Sequence, residues 1–182
     1  MSNPSQVIVL LEDGHQRMLI YRYLKKCVRD SPVRFRQPPP GHGSAESWVR
    51  KRFAEETNEY RRRQARAGTA LIVMIDADTH TVQDRLTRLD QALKDNGMKT
   101  VGKSERIARL VPRRNVETWI LCLNGEAVKE ETDYKSPKNN WNELISTASE
   151  MLCEWTRSQT EPPNHCVDSL RTGVRELKRL TF

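Results

Sequence analysis

No apolar run in this chain is long enough to cross a bilayer. The two longest, at 7–11 and 70–75, fall far short of the ~20 residues a membrane helix needs. The opening residues, MSNPSQ, carry neither the basic nor the apolar region of a signal peptide, so the cytoplasm is the expected compartment. Cysteine is sparse: Cys27, Cys122, Cys153 and Cys166 are widely spaced and form no CxxC. That spacing speaks against a zinc site or a disulfide framework and for reduced packing residues. P-loop, glycine-rich dinucleotide motif and Ser-His-Asp set are all missing, so ATP hydrolysis by this chain alone is not expected. Internal repeats and low-complexity tracts are missing too.

What the chain has in excess is positive charge. Its 182 residues hold 31 Lys and Arg against 24 Asp and Glu, a formal net charge of +7 with a sequence pI near 9.4. Such a balance favours a polyanionic partner, either nucleic acid or an acidic protein surface. The length suits one domain with a real core and room for an appendage.

The most informative stretch is TALIVMIDAD at 69–78. Its unbroken apolar character, rich in β-branched residues and without alternation, predicts a strand covered on both faces. It ends in Asp76 and Asp78, which point the same way if extended geometry continues that far. Ligands of open parallel sheets bind at the carboxyl ends of strands. Two such carboxylates repel each other unless a divalent cation lies between them. The pair also fits plainer roles, with Asp78 capping the next helix and Asp76 forming a turn. QVIVLL at 6–11 predicts a second buried strand, again ending at carboxylates, Glu12 and Asp13, before Gly14 allows a tight turn.

Around these strands, apolar spacing predicts helices at 15–28, 45–67, from Thr79 or Thr81 to 96–97, 115–123, 141–157 and 166–180. Short strands are predicted at 33–37, 98–101 and 106–111. Val33 and Phe35 fall on one face of the first of these, Arg34 and Arg36 on the other. Ser44 is the natural cap of the second helix, which carries Arg50, Arg61 and Arg62 among its many basic residues. These are candidates for phosphate contact or simply a solvated face balanced by Glu55, Glu56 and Glu59. The polar stretch 126–140 reads as a linker. The order of elements predicts an α/β domain over 1–126 and a helical C-terminal extension over 127–182, packed on the same domain.

Three motifs, VIVLLEDG (7–14), LIVMIDADTH (71–80) and LVPRRNVETWIL (110–121), together resemble the Toprim superfamily. In that family a glutamate follows the first strand and DxD follows a later one. The third motif is similar to a Pro-x-x-x-x-Glu-x-Trp element of small stand-alone Toprim-like proteins in bacterial defence loci, the RloB type. Related Toprim domains occur in the overcoming-lysogenization-defect nucleases. The likeness spans about 6–125. It implies a Rossmann-like, mostly parallel sheet flanked by helices, and divalent-metal-dependent cleavage of nucleic-acid phosphodiesters in anti-phage defence. DNA is the favoured substrate, and the partner implied is a separate ABC-type ATPase. Glu12 would be a metal ligand or general acid/base, Asp76 and Asp78 would hold Mg²⁺ or Mn²⁺, and Glu117 would be a further ligand. Many such nucleases carry a carboxylate four residues beyond the first glutamate, where this chain has Gln16, and Asp13 stands here in place of an immediate glycine.

The basic residues nearest the motifs, Arg113, Arg114 and Lys103, are candidates to clamp phosphate; the plainer role for Arg113 and Arg114 is a salt bridge to Glu117 or the acidic cluster. His15 and His80 adjoin acidic motifs as general acids, extra ligands or surface residues; His42 and His165 lie away from them. Trp119 reads as core. Two other functions fit: an RNA-processing Toprim ribonuclease, and a non-catalytic regulatory or partner-binding subunit. A homo-oligomer is compatible with each.

Overall fold

The computed structural model describes residues 4–28, 31–41, 43–63, 68–136, 139–158 and 161–180. His42 and the predicted helical residues 64–67 lie outside them.

The elements run β1 (Gln6–Leu10), α1 (Gly14–Cys27), β2 (Val33–Arg36), α2 (Ala45–Arg63), β3 (Thr69–Met74) and α3 (Val82–Asp95). They continue with β4 (Ile107–Leu110), α4 (Val116–Leu123), α5 (Trp141–Arg157) and α6 (Asp168–Lys178). The four strands form one all-parallel sheet in the order β2-β1-β3-β4, an α/β, Rossmann-like arrangement. From β1 the chain moves outward to β2 and then crosses back to β3. The order therefore reverses between β1 and β3, and the crevice at their carboxyl ends is where such sheets take ligands.

Alternation along β1 divides the core. Val7, Val9 and Leu11 join the layer built from α1, α4, α5 and α6, whereas Ile8 and Leu10 join the α2–α3 layer. The C-terminal helices belong to the first layer: Ile145, Leu152, Leu170 and Val174 are as buried as β1 itself. Gly173 lets α6 approach the buried Trp119 ring closely; a Cβ there would lie 2.9 Å from Trp119 Cζ3 and nearer still to Cη2. Glu176 on α6 accepts the Arg109 backbone N–H on β4 at 2.9 Å, which satisfies a donor on that edge strand.

Three expectations need correction. Residues 98–101 form no strand, because the Lys99 and Thr100 carbonyls accept from the Arg61 guanidinium instead of a neighbouring strand. Gly14 makes no turn: Asp13 caps α1 through the Gln16 N–H, and Gly14 is the helix's first residue. The cysteines are not all reduced. Cys27 and Cys153 form a disulfide joining α1 to α5, while Cys122 and Cys166 are buried free thiols.

Candidate functional site

Glu12 lies just beyond β1, and one of its carboxylate oxygens accepts the Asp76 backbone N–H at 2.6 Å. The loops after β1 and β3 are thereby tied together at the switch point. Asp76 itself is only 4% exposed. The fully buried Gln16 on α1 donates its amide to Asp76 Oδ1 at 3.0 Å, with a weaker contact of 3.5 Å to Glu12 Oε2. Its own carbonyl oxygen accepts the Glu12 N–H at 2.9 Å.

Glu117 arrives from α4, in the first turn after the Asn115 cap position. It is buried, and its Oε1 lies 2.7 Å from His15 Nδ1, while its Oε2 is buried with no hydrogen-bond partner. An orphaned carboxylate oxygen in the interior costs free energy unless something supplies positive charge or a donor.

The electrostatics agree with this crowding. Burial is the main cause lifting the Asp76 carboxyl well above its usual range, with Glu12, Asp13 and Glu117 adding to it. Burial also pushes Glu12 up to about 7, helped by Asp78 and opposed by the Asp76 N–H. Lys135, from the 126–140 segment, answers these charges. Its desolvation is outweighed by Asp76, Glu117, Asp13 and Asp78, so its ammonium is held above the ordinary range. Asp13, His15, Glu117, Lys135 and Trp141 line a cleft of about 510 Å³; of the acids described above, Asp13 and Glu117 reach it.

Asp78 departs from the expected geometry. Backbone pairing continues through the Ala77 N–H to the Pro112 carbonyl and the Asp78 N–H to the Arg114 carbonyl, with Asp78 at φ 54. Asp76 therefore faces Gln16, whereas the exposed Asp78 pairs with Arg85 at 3.3 Å. Arg85, buried on α3, also donates to the Asp76 carbonyl at 2.9 Å and meets Glu46 at 3.0 Å. Asp78 caps no helix; Thr81 does, in a reciprocal box with Asp84.

The predicted phosphate-binding residues divide. Arg113 donates to the His80 carbonyl at 2.6 Å and lies 3.9 Å from Glu131; Arg114 lies 3.7 Å from Asp133. Neither bridges to Glu117. Lys103 is exposed. Arg50 pairs with Glu46 and Arg62 with Glu59, both within α2. Arg61 is a strut: it grips Glu105 with two nitrogens and also donates to two backbone carbonyls, which leaves little for phosphate.

Oxygen donors of this kind suit a hard cation such as Mg²⁺ or Mn²⁺, and the unpartnered Glu117 Oε2 fits that role. Among the described residues, however, no three His, Cys, Asp or Glu side chains already stand in a metal-ligand grouping. The residues match such an ion in type, and Gln16 and His15 meanwhile occupy part of their bonding capacity. No protein-family model, curated protein or solved structure matches the chain. No helix among the described residues is long and apolar enough to cross a membrane.

Proposed function

We propose that this chain is a divalent-metal-dependent phosphodiesterase acting on nucleic acid, with DNA favoured as substrate. The observation that carries the reading is the buried, unpartnered Glu117 Oε2, beside acids delivered from two adjacent strand ends at the switch point. Asp76, Glu117 and Glu12 would hold Mg²⁺ or Mn²⁺, which supplies Lewis acidity toward a phosphate oxygen and acidifies water. His15 orients the Glu117 carboxylate, and Gln16 fixes Asp76 relative to Glu12. Arg85 braces the Asp76–Asp78 turn through the backbone. Lys135 offers a positive charge above the acids, placed to meet a phosphate. A role in anti-phage defence beside a separate ABC-type ATPase rests on the likeness of the three motifs alone.

The test is cleavage of plasmid DNA and of structured RNA in Mg²⁺ or Mn²⁺ by wild type, Asp76→Asn and Glu117→Gln. Wild type should cleave, the variants should fold without cleaving, and Mn²⁺ should raise the wild-type melting temperature by binding the folded state. Folded variants with undiminished cleavage, or no thermal shift at millimolar metal, would overturn the reading. Preference for structured RNA would favour the processing-ribonuclease form of it.

A second reading, a non-catalytic subunit, draws on Gln16. Its amide bonds two acids that a cation would otherwise bridge. On that reading wild type cleaves neither substrate, and Gln16→Glu gains metal affinity that wild type lacks.

A further inference from the structure

We propose that the cleft is a subsite for one unpaired nucleotide, with the Trp141 indole as its stacking face and the Lys135 ammonium as its phosphate contact. The inference rests on the phosphodiesterase reading and narrows its substrate to single-stranded or locally unpaired nucleic acid.

Trp141 is the first residue of α5, and its core-facing side packs against the main apolar layer. Packing there asks only for an apolar group. The indole does more: its Nε1–H donates to the Ser136 carbonyl at 2.8 Å, which fixes the ring plane. The same ring forms a wall of the cleft and sits 5.3 Å from the His15 ring, tilted by 41°. An oriented aromatic wall beside an imidazole is the kind of surface on which bases stack without regard to sequence.

Opposite charges share the cleft with it. Lys135 is exposed yet drawn electrostatically to the acids, and it lines the cleft together with Asp13 and Glu117. A nucleotide with its base against Trp141 would set its phosphate at Lys135, on the same cleft wall segment. At about 510 Å³ the cleft has the size of a small-ligand site, enough for one nucleotide. A base whose face lies on Trp141 has left its own stack.

The test is fluorescence anisotropy of the full chain with end-labelled oligothymidylate or oligouridylate, whichever binds more tightly. Its comparisons are an abasic oligomer of the same length and a blunt DNA duplex, all with Ca²⁺ present. Wild type should bind the base-bearing strand roughly tenfold more tightly than the abasic one, and more tightly than the duplex. Trp141→Ala should erase the base preference, and Trp141→Phe should keep most of it. Lys135→Met should weaken base-bearing and abasic strands alike and flatten the salt dependence by about one charge. Circular dichroism and melting of each variant exclude misfolding as the cause, and the phenylalanine variant keeps the test decisive if the alanine one fails to fold. Equal binding of abasic and base-bearing strands by wild type would overturn the subsite. So would a base preference that survives Trp141→Ala. Base-dependent binding without any cleavage would instead sink the hydrolytic reading and leave the subsite standing.

Discussion

Glu12 shows how burial converts a surface acid into a pH-sensitive one. Its carboxyl titrates near 7 in the folded chain against an ordinary 4.5, and Asp76 is shifted in the same direction. Between those values the folded protein holds a proton that the unfolded chain has released, so stability falls as pH rises from about 4.5 to 7. Metal-free protein should therefore melt at progressively lower temperature across that window, and Glu12→Gln should flatten the profile. A wild-type profile that rises or stays level there would contradict the shift. Glu12, Asp76 and Glu117 were legible in the sequence because each follows an apolar strand or opens a helix after one. For Asp78 the condition of the period-two argument is not met, since the backbone stands at φ 54 there. Arg85 left a usable signal, sharing the buried stripe of Leu89 and Ala92 at helical spacing, where a charged residue needs a buried partner. Lys135 left none, since one lysine in a polar segment carries no hint of the acids above which folding places it.

Among the elements, α6 shows what apolar spacing misses. Its stripe predicted a helix, but not how near that helix comes to α4. Ser169 accepts the Trp119 indole N–H at 2.7 Å, and Gly173 leaves room for the ring. Gly173→Ala should force α6 outward or push Trp119 off its rotamer, costing about 1–3 kcal/mol as overpacking does. Urea melts measure this, and a midpoint unchanged from wild type would show that α6 shifts freely. Three of the four strands are legible for two different reasons: β1 and β3 from continuous apolar runs, β2 from alternation with arginine. The stretch at 98–101 deceived because Met98 and Val101 do pack on the α2–α3 layer, yet its carbonyls belong to Arg61.

At the scale of the whole molecule, the Cys27–Cys153 disulfide staples the first helix to the fifth across 126 residues of chain. Sequence could not foresee it, because pairing depends on α5 lying along α1. Denatured, unreduced protein should titrate for two thiols of the four cysteines. Cys153→Ala should lower stability by about 2–4 kcal/mol, and reducing wild type should bring it to the same level. Four reactive thiols would refute the bridge. Thiols trapped by alkylation at the moment of lysis would also read the redox state of the native compartment, since such bonds persist in oxidising surroundings.

The same arrangement bears on synthesis. Glu12, Asp76 and Glu117 all precede the end of α4, but Lys135 and Trp141 come later, as does the α5 surface that covers α1 and α4. A chain cut after Leu123 would keep Glu12, Asp76 and Glu117 but lose Lys135, Trp141 and the helix that covers α1 and α4. The cleft itself, lined from both sides of Leu123, exists only once the last third of the chain is in place.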